Sequence, residues 1–469
     1  MIPKELIQSL QQAKDFDEQA FVAVHSSKEQ ITSIRYNPLK LIDDRELFIA
    51  NELETLNFKP QTSKVPWCNY GFYLEQRPFF THDPLIHCGA YYVQEASSMF
   101  LWQVLQQHIG SNTQKTVLDL CAAPGGKSTL LASFFANGFI VSNEVIKQRA
   151  AVLVENITKW GTNNIVITNN DPKDFKQLAN FFDVIVVDAP CSGSGLFRKD
   201  ATAINEWSVD NVNLCSQRQQ RITSDIIDAL NNNDGIFIYS TCSYSKQENE
   251  DIVDWIIATY QLTSLQINID ESWGIIETKS DAQNGFGYRF YPNKVKGEGF
   301  FIAAFKKENS EPKQIKYKET QLQKLLKQEE EIINSFIVDS NSFSFFKHND
   351  AIKLFPKKWL QQLQIVASYL YIKKAGIEVG AIKHKDLIPA HELAMSHLTL
   401  NKTQTFNLNK KDAQQYLSKK EVIIDTNYTG WALLLYKNVS LGWAKILPNR
   451  MNNYYPTEWR ILKTNFEDE

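Results

Sequence analysis

Five short apolar runs, separated by intervals long enough for helices, constrain the fold of this 469-residue chain more than any other feature. The runs are residues 116–120, 139–143, 165–168, 184–188 and 235–241. Strands that alternate with helix-length sequence are typical of a parallel sheet covered by helices on both faces. Two further apolar runs, 288–291 and 300–305, have no long helix between them and predict a hairpin at the sheet edge. The sequence therefore predicts an α/β fold with a doubly wound, Rossmann-like sheet.

The sequence on either side of this core differs in composition and divides the chain into four predicted parts. They are residues 1–110, an N-terminal α/β extension; 111–307, the core with the sheet; 308–385, a linker and central segment; and 386–469, a β-rich module. Helical spacing predicts a helix over 1–30, and the charged stretch 308–330 predicts a linker that leads into a helix. Short apolar runs at 431–436 and 441–446 predict strands of the last module.

Composition excludes several classes of protein. Apolar residues make up 43% of the chain, no apolar run reaches membrane-spanning length, and the start lacks the apolar stretch of a signal peptide. We therefore expect a cytoplasmic protein without membrane contact. The six cysteines fit no disulfide framework and form no CxxC pair, which argues against a metal site. Residues 311–469 carry 23 Lys and Arg against 17 Asp and Glu, which fits a polyanionic partner and equally a solvated lysine-rich surface.

The loop after the first predicted strand has the features of a cofactor site. Residues 117–129 run from a strand through Pro124, Gly125 and Gly126 into a helix. Glycines allow a ligand to approach the backbone closely, and the helix N-terminus offers free N–H groups. A phosphate-binding P-loop would need glycine where Cys121 stands, and the GxGxxG pattern of dinucleotide sites is absent.

Two carboxylates at later strand ends indicate a ligand that contains a nucleoside. Glu144 follows the second strand, where it can accept hydrogen bonds from both ribose hydroxyls. Asp171 follows the third strand, within reach of an adenine amino group. S-adenosylmethionine has a nucleoside and no phosphate, so it suits this loop. The alternative is that both carboxylates only cap helices.

Two cysteines lie in separate turns, each directly after a predicted buried strand. Cys191 lies in the turn 188–195, and Cys242 lies in the turn 240–244. The carboxyl ends of parallel strands border the crevice where open α/β sheets bind ligands, so both thiols are candidates to attack a substrate carbon. The alternative for any single cysteine is an inert buried thiol, which is our interpretation of Cys68, Cys88 and Cys215.

The chain resembles the Sun family of RNA cytosine-C5 methyltransferases at six separated motifs. They are residues 35–38, 93–99, 119–128, 188–195, 240–244 and 297–301. The C-terminal part is similar to the bacterial branch of the family that acts on small-subunit ribosomal RNA. That likeness rests on residues 376–380, 388–394, 442–445 and 453–456, the last two within a PUA-like RNA-binding module. The resemblance implies a methyltransferase sheet in the core and an RNA-binding role for the extension 1–110.

The resemblance also implies roles for site residues. Chemistry alone leaves either cysteine as the nucleophile, whereas the family assigns attack on cytosine C6 to Cys242 and proton removal or product release to Cys191. Asp188 is expected at cytosine N3, and Lys127 is expected to orient Asp188 or to lower a thiol pKa. The residues expected to bind S-adenosylmethionine are Cys121, Ala122, Ala123, Pro124, Gly125, Gly126, Lys127, Glu144, Asp171 and Asp188.

The implied partner is RNA, namely 16S rRNA or the small ribosomal subunit, bound by a monomeric protein. Two alternatives stay open at this point: a tRNA substrate, and an rRNA-binding assembly factor without turnover. Candidate RNA contacts are Arg198, Lys199, Arg218, Arg221, Lys357, Lys358, Lys373, Lys374, Lys383 and Lys385, with Trp359, Trp431 and Trp443 interleaved among the lysines. A solvated surface is the alternative for the charged residues, and a core position is the favoured interpretation of the tryptophans.

Overall fold

A computed structural model of the chain describes residues 2–27, 29–40, 63–308, 316–348, 350–384 and 386–462. The linker residues 309–315 and the candidate RNA contact Lys385 lie outside the described residues. None of the helices in the described ranges combines the length and the apolar character that a membrane crossing requires.

The described residues contain both α-helices and β-strands along the chain. The helices are α1 Lys4–Leu10, α2 Glu18–Ser26, α3 Pro84–His87, α4 Leu101–His108, α5 Gly126–Phe134, α6 Lys147–Trp160, α7 Ala201–Glu206, α8 Val209–Ile226, α9 Glu250–Tyr260, α10 Lys327–Phe336, α11 Leu360–Tyr369, α12 His391–Met395 and α13 Lys410–Leu417. The strands are β1 Thr32–Tyr36, β2 Gly71–Leu74, β3 Tyr91–Val93, β4 Thr116–Asp119, β5 Phe139–Asn143, β6 Ile165–Thr168, β7 Val184–Asp188, β8 Ile236–Thr241, β9 Thr263–Leu265, β10 Ile276–Lys279, β11 Phe286–Phe290, β12 Phe300–Lys306, β13 Phe343–His348, β14 Ala351–Pro356, β15 Ile372–Ala375, β16 Ile377–Lys383, β17 Asp386–Pro389, β18 Gln404–Leu408, β19 Gly430–Tyr436, β20 Val439–Leu447 and β21 Arg450–Asn453.

A ten-stranded sheet forms the centre of the molecule and confirms the α/β prediction. Its strand order is β10-β11-β12-β8-β7-β4-β5-β6-β15, and β9 pairs with β12. Strands β8, β7, β4, β5 and β6 are parallel, as the alternation of strands and helices predicts. The expected hairpin of β11 and β12 forms, but β10 pairs with β11 and is the true edge strand.

Both faces of the sheet are buried, because successive side chains of a strand point to opposite sides. Val117 of β4 packs in one hydrophobic cluster with Leu130 and Trp160, whereas its neighbour Leu118 packs in the other with Phe175. Burying an aliphatic or aromatic side chain of this size contributes about 1.5–3 kcal/mol. These two clusters fix the positions of the core strands, and therefore also the positions of the loops that follow those strands.

The edge strand β15 comes from the central segment, beyond the expected end of the core at residue 307. It pairs antiparallel with β6, in the register Ile372↔Thr168 and Ala375↔Val166. A sheet edge exposes unpaired N–H and C=O groups, and β15 covers those of β6. The ten-stranded sheet is therefore completed by sequence that lies about 200 residues later in the chain than β6.

The N-terminal extension contains two helices, α1 and α2, where the sequence predicts one over 1–30. A three-stranded sheet of order β2-β1-β3 follows. Arg35 of β1 is fully buried and joins this sheet to α5. Its Nε donates to Oε1 of Gln94 at 2.8 Å, its Nη2 donates to Oγ1 of Thr129 at 2.6 Å, and its guanidinium lies 4.7 Å from the ring centroid of Trp160.

Two four-stranded sheets complete the C-terminal part and confirm its β-rich character. The first has the order β13-β14-β16-β17, and the second has the order β18-β19-β20-β21, in which β18 and β19 are parallel. Trp443 of β20 is fully buried between them, and its Nε1 donates to the carbonyl of Ala390 at 2.9 Å. Trp443 is thus a core residue, as the favoured interpretation states.

Candidate active site

The strand order reverses beside β4, and a cleft of about 450 Å³ lies at that point. Strands β5 and β6 follow on one side of β4, whereas β7 and β8 follow on the other, so the loops after β4 and β7 diverge. The predicted site residues that line the cleft are Cys121, Ala122, Ala123, Pro124, Gly126, Lys127, Asp188 and Cys242. Most of the expected site therefore meets at the carboxyl edge of the sheet.

The loop between β4 and α5 is held by side chains of α6. Arg149 Nη2 donates to the carbonyl of Ala123 at 2.7 Å, and Asn156 Nδ2 donates to the carbonyl of Pro124 at 2.8 Å. Gly125 has a φ of 119°, in the left-handed region that favours glycine, and it caps α5 without a side-chain hydrogen bond. The first N–H groups of α5 consequently remain available to a ligand. The sequence analysis did not identify Arg149, which also lines the cleft.

Lys127 and Asp188 form an ion pair across the cleft. Lys127 Nζ lies 2.8 Å from Oδ2 of Asp188, and Oδ1 of Asp188 accepts a hydrogen bond of 2.8 Å from Oγ of Ser240. Both Asp188 oxygens are thus oriented, one by the helix α5 and one by the neighbouring strand β8. Lys127 Nζ also lies 5.1 Å from the ring centroid of Phe300, which is another lining residue that the sequence analysis did not single out.

The two cysteine turns meet, because β7 and β8 are adjacent parallel strands. Sγ of Cys191 lies 3.1 Å from Sγ of Cys242. Both cysteines are half-buried, and of the two Cys242 lines the cleft whereas Cys191 does not. The hydrogen bond to the Cys242 sulfur, together with burial, raises the pKa of Cys191 well above its usual value. Cys191 is therefore a thiol at neutral pH and can donate its proton toward the Cys242 sulfur.

Glu248 joins the two turns, and the sequence analysis missed it. Its Oε1 accepts from the backbone N–H of Ser192 at 2.8 Å and from Gln219 Nε2 at 3.1 Å. Its Oε2 accepts from Oγ of Ser192 and from Oγ of Ser243, each at 2.5 Å. Burial raises the pKa of Glu248. Because Ser192 follows Cys191 and Ser243 follows Cys242, one carboxylate sets the spacing of both sulfurs.

Glu298 is another buried acidic residue, and unlike Glu248 it lies at the cleft. Glu298 lines the cleft, and one of its oxygens lies 3.4 Å from Nη1 of Arg198. Arg198 is buried and also donates to the carbonyl of Glu29 at 2.6 Å. The prediction that Arg198 contacts RNA is therefore wrong, because its guanidinium is buried and bound to Glu298 and to the carbonyl of Glu29. Lys199 stays at the rim, 4.0 Å from Glu298.

Glu144 and Asp171 do not line the cleft, and each makes local contacts of the capping kind. Oε1 of Glu144 accepts from the N–H of Ile146 at 2.9 Å, and Oε2 lies 3.4 Å from Nη1 of Arg149. Asp171 forms a capping box with Asp174 at the start of a 3-10 helix. Both residues follow strands at the same sheet edge as the cysteines. Their expected contacts with ribose and adenine stay predictions.

Asp119, at the end of β4, is fully buried below the cofactor loop. Its Oδ2 accepts a hydrogen bond of 2.7 Å from Oγ of Ser128, and its Oδ1 is buried without a partner among the described residues. Burial raises the pKa of Asp119 to about 7. The carboxyl group thus titrates near neutral pH.

The remaining RNA candidates differ in their surroundings. The prediction that Lys374 contacts a phosphate is wrong, because Lys374 is buried and forms an ion pair with Glu392. Arg218 and Arg221 are exposed on α8, and Arg221 lies 4.0 Å from Asp171. Lys357, Lys358 and Lys383 are exposed, and Lys373, Trp359 and Trp431 are half-buried.

Three family models match successive parts of the chain. The model described as 16S rRNA methyltransferase RsmB/F matches residues 107–306. The model of the N-terminal domain of 16S rRNA methyltransferase RsmF matches residues 2–96, and that of the methyltransferase RsmF PUA domain matches residues 403–461.

Full-length relatives and a solved structure agree with these matches. Ribosomal RNA small subunit methyltransferase F of Shewanella piezotolerans is 29% identical, over 92% of this chain and 92% of that protein. The protein of the same name from Vibrio vulnificus is 30% identical, over 91% of this chain and 90% of that protein. The crystal structure of NSun6 from Pyrococcus horikoshii with SFG has a TM-score of 0.54 at 20% identity, covers 66% of this chain and 99% of that chain, and shares the fold.

Proposed function

The chain belongs to the RsmB/F family of 16S rRNA methyltransferases, and on that premise we propose that it methylates C5 of a cytidine in small-subunit (16S) rRNA through a covalent adduct on Cys242. The observation that carries this proposal is the position of the two sulfurs. Cys242 lines the cleft, whereas Cys191, whose sulfur lies 3.1 Å from that of Cys242, does not line it. A nucleophile must be accessible to its substrate, so the geometry favours Cys242 over Cys191.

The first step is addition of Cys242 to the pyrimidine ring. The Sγ thiolate forms a bond with C6, the C5–C6 double bond opens, and C5 gains the electron density needed to attack a methyl group. Once C5 has bonded to the methyl group and the bond from that group to its donor has broken, water takes the proton from C5. The electron pair of the C5–H bond restores the C5–C6 double bond, and the Sγ–C6 bond breaks with the thiolate as leaving group. Cys191, which remains protonated beside Cys242, is the group that would exchange a proton with the departing sulfur.

Asp188 and Lys127 are proposed to favour the addition step. When Cys242 adds to C6, electron density moves toward N3 of the cytosine. Asp188 is held by Lys127 and Ser240 at the end of β7, so its carboxylate would accept a hydrogen bond from N3 once N3 has taken up the proton that the Cys242 thiol releases. Lys127 is a positioning residue in this proposal, because its ammonium group contacts Asp188.

S-adenosylmethionine supplies an electrophilic methyl group when it is bound. The cleft fits such a cofactor, because the uncapped first turn of α5 can bind its carboxylate and the volume of about 450 Å³ lies within the range of small-molecule sites. Residues 121–127 would hold it from one side. Glu144 and Asp171 would bind the ribose and the adenine, provided that Glu144 exchanges its contact with Arg149.

The RNA partner is proposed from the relatives and from the C-terminal module. The PUA match at 403–461 suggests that this part binds RNA, and the relatives are named for small-subunit ribosomal RNA. We further propose that the protein acts as a monomer in the cytoplasm.

The test is methyl transfer to rRNA by cysteine variants. With S-adenosylmethionine and purified 16S rRNA or small subunits, Cys242→Ser should lose 5-methylcytosine formation, measured by bisulfite sequencing, and keep its affinity for the cofactor. Cys191→Ala should accumulate a protein–RNA adduct that survives denaturing gels. Cys88→Ala, which removes a buried thiol of the N-terminal extension, is the matched control and should retain activity.

Two outcomes would contradict this function. Turnover by Cys242→Ser would move the nucleophile to Cys191. Methylation of tRNA instead of rRNA would leave the chemistry intact and replace the substrate.

A further inference from the structure

A second polar cleft of about 680 Å³ lies at the opposite edge of the catalytic sheet. One wall consists of loops that precede strands, because Gly138 precedes β5 and Asn164 precedes β6. The other wall is 341–343 and 356–359, the segments that begin β13 and follow β14. The active-site cysteines follow their strands, so this cleft is separate from the catalytic one.

The cleft is positively charged in a chain whose net charge is −3. Lys357 and Lys358 line it and are exposed, and no carboxylate lines it. Neither lysine forms an ion pair with any residue of the described ranges. Other lysines of the same region are neutralised: Lys353 pairs with Glu378 at 2.9 Å, and Lys374 pairs with Glu392. The two unneutralised ammonium groups are adjacent, which suits a polyanion better than a single small anion.

Hydrogen bonds fix the walls of this cleft before any ligand binds. Trp359 Nε1 donates to the carbonyl of Asn137 at 3.0 Å, which joins the two walls directly. Asn164 Nδ2 donates to the carbonyls of Phe135 and Gly138 at 2.9 and 3.0 Å. A preformed site loses less conformational entropy on binding than one that must order first.

His397 adds a hydrogen-bond acceptor to the lining. Its Nδ1 lies 3.0 Å from the carbonyl of Gly161, so Nδ1 carries the proton and donates. His397 is exposed, and an exposed imidazole is mostly neutral at pH 7, so with the proton on Nδ1 the Nε2 atom is an acceptor. A ribose 2′-hydroxyl can donate to such an acceptor, and DNA has no group at that position.

We propose that this cleft binds the sugar–phosphate backbone of the RNA substrate at a place remote from the target cytidine. Lys357 and Lys358 contact phosphates, and His397 accepts from a ribose hydroxyl. Contacts of this kind set orientation and affinity without reading sequence. The inference rests on the proposed function, because it assumes that the polyanion is RNA.

The distance between the clefts decides which RNA can use both. β5 spans five residues between the two sheet edges, which corresponds to about 17 Å at 3.3 Å per residue. The path around the protein surface is longer than this straight line. An oligonucleotide of about three nucleotides centred on the target cytidine spans only about 10 Å at 3.4 Å per step and reaches the catalytic cleft alone, whereas a structured rRNA fragment reaches both.

The experiment compares the double variant Lys357→Gln/Lys358→Gln with the intact full-length protein. Fluorescence anisotropy measures binding of a structured 16S rRNA fragment and of a short oligonucleotide at several salt concentrations. For the fragment, affinity should fall about twofold to thirtyfold, as expected for two exposed ion pairs. The slope of log K against log salt should decrease in size by about 1.4–1.8 for two lost phosphate contacts. Short-oligonucleotide binding and methylation should not change.

The matched control is Lys324→Gln/Lys327→Gln, which removes two exposed lysines of the neighbouring segment outside the cleft. Its salt slope should stay near that of the intact protein. An unchanged slope in the Lys357/Lys358 variant overturns the inference, and so does an equal loss with the short oligonucleotide or with the control. If the intact protein methylates no RNA, the proposed function fails instead. Methylation of the short oligonucleotide with an unchanged slope refutes only the second cleft.

Discussion

Replacing Glu248 by alanine should impair catalysis more than its effect on stability explains. The carboxylate accepts four hydrogen bonds, and the two Ser hydroxyls can turn toward each other after its removal, because their oxygens are already 3.3 Å apart. The N–H of Ser192 has no such alternative, and Gln219 Nε2 keeps only its contact of 3.1 Å with the carbonyl of Pro190. A buried donor left unsatisfied costs about 1–3 kcal/mol. We therefore expect Glu248→Ala to lower the free energy of unfolding by about 1–3 kcal/mol.

The catalytic effect comes from the turns that Glu248 joins. Without the carboxylate, Ser192 and Ser243 are no longer tied to one point, and the cysteines beside them can separate. Misplacement of reacting groups by about 1 Å can cost 10²-fold in rate. We expect kcat to fall by about tenfold to a hundredfold, whereas the dissociation constant for S-adenosylmethionine stays within about twofold because Glu248 does not line the cleft.

Asp183→Ala is the matched control for this variant. Asp183 accepts hydrogen bonds from Thr116 N at 2.8 Å, Thr116 Oγ1 at 3.0 Å and Asn231 Nδ2 at 3.0 Å, at the opposite end of the sheet. It should destabilise the protein by a similar amount and leave kcat per folded molecule unchanged. Urea titration measures stability, and single-turnover methylation below the unfolding range measures rate. Equal kcat in both variants would refute the positioning role, and unchanged stability of Glu248→Ala would refute the energetic estimate.

Two further predictions concern the cofactor loop. The pKa of Asp119 is about 7 in the folded protein and about 3.8 when unfolded, so burial of the neutral acid stabilises the fold below pH 4 and this contribution is lost as pH rises from 4 to 7. Asp119→Asn should remove that decline, on the order of 4 kcal/mol, when the free energy of unfolding is measured across this range, and a variant with the decline of the original protein would contradict the assignment. Gly125→Ala places a Cβ at a φ of 119° and 3.3 Å from Cδ1 of Leu153, so stability should fall by about 1–2 kcal/mol and cofactor affinity should fall with it. Gly110→Ala, which has a φ of 61° and open space around the added Cβ, should show the stability loss with no change in cofactor affinity, and equal cofactor affinity in the two variants would argue against a role of the Gly125 turn in binding.

The sequence was sufficient to predict the parallel sheet and eight of the eighteen described residues that line the cleft. Runs such as 139–141 and 165–167 are apolar at each position, and that property is visible without knowledge of the partner strand. The turns that hold Cys191 and Cys242 follow strands directly, so their place at the carboxyl edge follows from the topology of parallel strands. The glycine turn before α5 is also local, because its left-handed backbone requires a particular residue type.

Contacts between distant residues decided the rest, and single-sequence patterns do not record them. Both cysteines follow strands, and only the packing of the turns shows that Cys242 lines the cleft and Cys191 does not. Lys374 resembles its exposed neighbours in sequence, yet Glu392 pairs with it inside the protein. Glu248 is an ordinary acidic residue until the fold brings Ser192, Gln219 and Ser243 around it. Hydrophobic periodicity thus determined which strands form, whereas burial and charge pairing across the chain determined which side chains remain free to act.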